Sequence, residues 1–388
     1  MRFYAAPTPI GTGQGNSWAN AGDLQTMINN AIAASSPGGD EVWALGDNNR
    51  FGVTGPYNLA GSPLNITGNT APLSVYGGFR GRERSLCDRR ANIICNDTNF
   101  PDYFQHPSIL DGGNANSVID MQQANVCRID GFIIRNGSAT TAATGFEGGG
   151  VRVRGNRNIW LENLVIMDNE ARNIGGGIYM HGFSTMIKNS IFLNNHATNG
   201  GGLFMNDGNN TLLVNLLFNE NQAAMHGTTG NGNAIYINGG HFNVKIINNT
   251  ISGNTIGSSD VYCTSPSVGI YNSIIYPDSL VAAGNANVVV DYCCLGTTPI
   301  SIPPNANITF PVPPNLPIGT NPNFAPIVPP FTWNFHLQPG SPCIDSGNTE
   351  RIFPFSATDL EGKPRFINSV NPPPFPFIQI DMGAFEWQ

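Results

Sequence analysis

The sequence predicts an all-β fold built as a parallel β-solenoid, and three observations carry that prediction. Charged residues make up only 11% of the 388 residues while glycine (46) and proline (29) are abundant, a composition suited to frequent turns and short strands rather than long surface helices. A Gly-rich turn repeatedly opens a short apolar alternation: "GGGVRV", "GGGIYM", "GGGLFM" and "GNAIYI". A second phrase, Asn or Asp followed after five residues by Asn, starts at Asp130, Asn163, Asn189, Asn215 and Asn248, with a decayed copy from Asn272, at intervals of 33, 26, 26, 33 and 24 residues. One coil of that length cannot bury its own apolar face, so neighbouring coils must supply both strand partners and core, each advancing about 4.8 Å.

In chain order, "DLQTMINNAIAA" places Leu24, Met27, Ile28, Ala31 and Ile32 at helical spacing behind Asp23 as N-cap, which predicts a helix plugging the first coil. "DEVWAL", "LSVYGGF" and "SVIDM" read as early coils. Alternation then points Val151, Ile178, Leu203 and Ile235 inward, with Val153, Met180, Met205 and Ile237 one pleat later, and Ile166, Phe192, Phe218 and Ile251 as a further inward column. The two 33-residue intervals imply surface loops around Thr140–Gly145 and Ala224–Gly232. The recurring Asn169, Asn195, Asn221 and Asn254 read as structural, because asparagine tolerates left-handed turns and its amide can bond the same position in the next coil. From about Pro299 the chain turns Pro-rich and aperiodic, so residues 1–298 are expected to form the solenoid with its cap and 299–388 a wrap packed on it.

The pairing of "GGG" plus an aliphatic residue with "FLNN" or "FNEN" resembles the repeats of chlamydial polymorphic outer-membrane proteins and the wider right-handed parallel β-helix class typified by pectate lyases. The opening "GTGQGNSWANAGDLQTMINNAIAASSPGGDEVWAL" and the closing "NFHLQPGSPCIDSGN", "DLEGKPRF" and "IDMGAFEW" are similar to the two ends of secreted bacterial β-helix proteins with a choice-of-anchor Q domain. The resemblance implies a right-handed helix and secretion or surface display, and it implies no single reaction.

Function has to be sought on the outward positions. In the first strand of each coil one outward ladder reads Arg152, Tyr179, Phe204, Tyr236, and its neighbour reads Arg154, His181, Asn206, Asn238. Aromatic rings a coil apart offer a flat strip on which sugars stack, with Arg or Asn beside them to bond hydroxyls or carboxylates. The competing reading is that a loop or the C-terminal wrap covers these rings. A lyase would need a calcium-binding carboxylate cluster or an Arg or Lys base, for which Arg152, Arg154, Arg172, Glu147 and Asp168 are available. A hydrolase would need paired acids, for which Asp168, Glu170, Asp207 and Glu220 are available, at positions where other coils carry turn residues. Glu162 beside Lys188 reads as an ion pair between coils.

The net charge of −8, with three lysines, argues against nucleic-acid binding, and no apolar run reaches the length of a membrane span. The start "MRFYAAPTPIGTG" lacks the basic and apolar regions of a signal peptide, so a secreted chain is expected to have lost its signal before residue 1. The seven cysteines show no metal-type spacing; Cys87 and Cys95 lie close in sequence, and Cys293 or Cys294 is placed to meet Cys343, as suits an oxidising compartment, while burial as small hydrophobes explains them equally. The expectation is therefore an extracellular or cell-surface solenoid with a structural, adhesive or self-assembly role and no cofactor. Its partners would be a polysaccharide or cell-surface glycan, or further copies of the chain. A polysaccharide lyase or glycoside hydrolase is the alternative.

Overall fold

The computed structural model describes residues 1–388 except 48, 90–105, 142–144, 226, 241, 255–256, 278, 303–304, 312–314, 327–333, 353–354, 367–379 and 388, with the backbone alone at 87, 156 and 242. The expected pairing of Cys87 with Cys95 and the tip of the first surface loop lie outside the described residues.

Each coil contributes strands to three parallel sheets. The first runs from Leu64–Thr67 through Ile119–Gln122, the starts of Val151–Glu162 and Ile178–Leu193, Leu203–Asn206, Ile235–Asn238 and Val261–Cys263 to Ile300–Ser301. The second begins at Arg2–Ala5 and Asp40–Leu45 and ends at Asn307–Thr309, so the stack continues past residue 298. The third carries Phe132–Arg135, Val165–Met167 and their successors to Cys294–Leu295. Ile178 pairs with Leu203 on adjacent strands. The inward columns named from alternation are fully buried, and Phe192 and Phe218 stack in the core.

The first coil is closed by helix α1 (Leu24–Ala34), whose Asp23 cap accepts from Thr26 N–H at 2.9 Å and whose Leu24, Met27, Ile28 and Ala31 complete the core. The residues that lengthen the second 33-residue interval form a small hairpin, Gln222–Met225 against Thr228–Thr229.

Two asparagine ladders run along the stack, with different jobs. In the first, Asn169, Asn195, Asn221 and Asn254 are buried; the Oδ1 of each of the last three accepts from the previous amide at 2.9–3.0 Å, and all four Nδ2 groups donate to a backbone carbonyl of the coil before. The left-handed turn falls on other residues: Asp168, Asn194 and Glu220, and Asn163, Asn189, Asn215, Asn248 and Asn272, all at φ between +49° and +56°. Asn169 and its equivalents thus act through their amides, not through turn conformation.

The left-handed ladder doubles as a rail for the C-terminal wrap. Asn215 Oδ1 accepts from Arg365, Asn248 donates to the carbonyls of Asp381 and Gly383, and Asn272 donates to that of Asn348. Arg365, fully buried, also pairs with Glu386 at 3.0 Å and caps the carbonyls of Gly383 and Ala384. Phe335, Leu360 and Phe385 cover Val165, Ile191 and Leu217, while Ile352 and Ile380 cover Val214 and Ile247. The described wrap therefore lies on the second and third sheets.

Candidate functional site

The first sheet keeps its outward face clear of the described wrap, and strand register sets its side chains in two lanes. The inner lane reads Asp120, Arg152, Tyr179, Phe204, Tyr236 and Tyr262, one per coil. Two residues further along each strand, the outer lane reads Gln122, Arg154, His181, Asn206 and Asn238. All six side chains named from the sequence, Arg152, Arg154, Tyr179, His181, Phe204 and Tyr236, are brought onto this face.

Four of these strands are launched by a turn that only glycine can make. Gly148, Gly175, Gly200 and Gly232 have φ of +62° to +69°, and a Cβ on any of them would fall 2.4–2.7 Å from the carbonyl oxygen three residues on. The tight turn lays this glycine against its own coil's inner-lane residue, Gly148 on Arg152, Gly200 on Phe204 and Gly232 on Tyr236.

The rings are not an open platform for sugars. Tyr179 and Phe204 are only 5% and 6% exposed. Ring centroids lie 6.2, 4.8 and 4.9 Å apart from Tyr179 through Phe204 and Tyr236 to Tyr262, so the rings spend their faces on one another and turn edges outward. Cover comes from the stack itself and its glycine turns, since the described wrap packs on the other two sheets.

At the head of the lane, Arg152 is almost buried and its Nε and Nη2 donate to Asp120 at 3.2 and 2.6 Å; Gln122 donates to the same carboxylate at 2.9 Å. Burial acts to raise the Asp120 carboxyl, but the bonds from Arg152 and Gln122 and the nearby Arg154 charge outweigh it and hold the group below its ordinary value. Asp120 went unnoticed in sequence because its coil has no GGG turn; setting "IDMQ" under "VRVR" would have placed it opposite Arg152.

Solvent meets the outer lane instead. The Arg154 side chain is 40% exposed and reaches Asp120 only at 3.4 Å. His181, its neighbour in register, is half-buried and has no hydrogen-bond partner among the described residues. Beyond them Thr264 donates to Asn238, Asn238 to Asn206 and Asn206 to the Tyr179 hydroxyl, at 3.3, 2.9 and 3.5 Å. Burial, with Glu147 adding to it, raises the Tyr179 phenol above its ordinary value.

The acids and bases counted from the sequence are engaged separately. Asp168 and Glu220 occupy left-handed turns, and Asp168 accepts from Asn194. Asp207, also left-handed, accepts from Gly240 N–H. Arg172 lies over Phe146 at 5.2 Å. Glu162 pairs with Arg128 at 3.2 Å, while Lys188 donates to the Phe355 carbonyl at 2.9 Å, so the expected Glu162–Lys188 pair is replaced by a link from Lys188 to the wrap. Burial pushes Glu162 up and Lys188 down. Among the described residues no three His, Cys, Asp or Glu side chains converge as a metal-binding set.

No family model matches the chain, and no curated protein matches it. Among solved structures it is similar to the crystal structure of pectate lyase Pel9A, with a TM-score of 0.51 over 100% of this chain and 96% of that one. The fold is a right-handed parallel β-helix. At 13% identity the likeness extends to the backbone path alone.

Proposed function

We propose that this β-helix is a secreted or cell-surface display protein that holds a glycan along the outer lane of its first sheet. The observation that supports this most directly is the register of that lane: Arg154, which reaches Asp120 only at 3.4 Å, sits beside His181, which has no hydrogen-bond partner among the described residues, followed at one-coil steps by Asn206 and Asn238. A row of fixed hydrogen-bonding groups at a regular rise suits a linear polymer with repeating hydroxyls. The buried aromatic stack beneath serves as a rigid footing for that row. The repeats similar to chlamydial polymorphic outer-membrane proteins, and the ends similar to choice-of-anchor Q proteins, support display outside the cell.

A polysaccharide lyase or glycoside hydrolase has only the fold likeness in its favour. The deciding measurement is a glycan-array screen beside a polysaccharide-degradation assay, repeated with the Arg154→Ala/His181→Ala double variant. Binding that falls roughly tenfold or more in the variant, at unchanged melting temperature and with no new chain ends released, supports the reading. Release of sugar fragments by the wild-type protein, or binding that ignores the double substitution, sinks it.

A further inference from the structure

The segment Arg80–Arg89, which leaves the second sheet after Phe79, concentrates positive charge on a chain whose balance is −8. Its acids are turned onto its own backbone. The Glu83 carboxylate accepts from the N–H groups of Arg80, Gly81 and Arg82 at 2.8, 2.9 and 2.9 Å, and Asp88 accepts from those of Arg84 and Ser85 at 3.0 Å. The loop is also anchored. Arg89 pairs with Asp130 at 2.7 Å and donates to the Gly77 carbonyl, the Trp18 indole donates to the Glu83 carbonyl, and Arg2 donates to that of Arg84. Arg80, Arg82 and Arg84 are exposed, and their guanidinium groups have no ion pair or hydrogen bond among the described residues. Arg50 is tied to this segment by its backbone N–H, which donates to the Arg80 carbonyl, while its guanidinium lies over the Phe51 ring at 5.6 Å.

From this we infer a second binding surface, distinct from the outer lane of the first sheet: the guanidinium groups of Arg80, Arg82 and Arg84 bind an acidic polysaccharide through its carboxylates or sulfates. Guanidinium forks match planar and tetrahedral oxyanions, and a loop already fixed by Glu83, Asp88 and Arg89 loses little freedom when it binds. A flexible single glycan chain can lie on this patch alone, whereas a nucleic-acid duplex, with a charge about every 1.7 Å, would extend onto the acidic remainder of the protein.

The test titrates the full chain with a heparin oligosaccharide, a hyaluronan oligosaccharide, neutral dextran and a short DNA duplex, at about 50 and about 200 mM salt. The expected result is salt-sensitive binding of one or both acidic oligosaccharides, lost roughly tenfold or more in the Arg80→Gln/Arg82→Gln/Arg84→Gln variant at unchanged melting temperature, and partly restored by the corresponding lysine triple. Equal binding by the glutamine triple, tighter binding of the duplex, or no acidic glycan binding overturns the inference. Each of those outcomes leaves the outer-lane reading standing, because that reading is tested through Arg154 and His181.

Discussion

Phe192 and Phe218 stack face to face in adjacent coils, their centroids 4.4 Å apart and their planes 14° from parallel. Each fills the core of its own coil and the floor of the next, so neither can be trimmed without a void between two layers. Phe192→Ala should cost about 3–5 kcal/mol, read as a lower denaturant midpoint with the m-value kept. A midpoint equal to wild type would mean the coil can collapse around the loss.

Asn195 stands in the middle of a buried amide ladder, accepting from Asn169 and donating to Asn221 and to the Ile166 carbonyl. Asn195→Ala strands polar groups on both sides, and about 1–3 kcal/mol is expected for each one left without a partner. Asn199→Ala, in the following turn, makes a control in a less enclosed setting. Hydrogen exchange resolved by segment should show the protection loss centred on the coils holding Asn169 and Asn221; a loss confined to residues around Asn195 would contradict the ladder as a cooperative unit.

Cys294 and Cys343 are buried in one cluster at the junction of the last third-sheet strand and the wrap, where the Cys294 thiol donates to the Thr320 carbonyl at 3.2 Å. Cys293, on the opposite pleat, points into the core, where burial pushes its thiol up to about 12 and its Sγ donates to the Ile270 and Asp291 carbonyls. Refolding with oxidised glutathione, which takes up the two electrons and two protons, should therefore join Cys294 to Cys343 and stabilise the wrap by about 2–4 kcal/mol. Peptide mapping should find the link in Cys293→Ser and not in Cys294→Ser; thiols that stay free after oxidation would refute it.

Asp381, buried within the wrap, accepts from Asp345 and Trp387 N–H, yet burial, with Asp345 adding to it, raises its carboxyl from 3.8 to about 6. Its folded value lies above its unfolded one, so protonation favours the folded state: the contribution is full below 3.8 and is lost as pH rises through about 6. Asp381→Asn should flatten that part of the stability curve between about pH 4 and pH 7. A variant whose melting temperature keeps the wild-type slope across that window would assign the dependence to another group.

The solenoid was legible because strand alternation and coil period act together: once "GGGIYM" is set under "GGGVRV", the inward or outward side of every residue follows. The cap helix was legible from Asp23 and its apolar spacing. What alternation fixes is a side, not an environment, so it placed Tyr179 and Phe204 outward without showing that their rings would close on each other. The Asp120–Arg152 pair was hidden by a coil lacking the marker glycines. Arg365 meeting Asn215 could not be read at all, since the wrap is aperiodic and the two residues are 150 positions apart in the chain.

The wrap's return path also decides how the molecule would carry load. The chain leaves the last coil and comes back to mid-stack, where Arg365 holds Asn215 and Glu386 and the Ala384 N–H donates to Thr250. Tension applied at Trp387 therefore meets the Arg365 clasp before it reaches the terminal strands at Asn307–Thr309. The edge coil is bypassed, and peeling from that end cannot begin until a buried ion pair and several asparagine bonds have sheared together. Under force the protein should yield in one large event at the clasp, followed by the small regular steps of coils unwinding one by one.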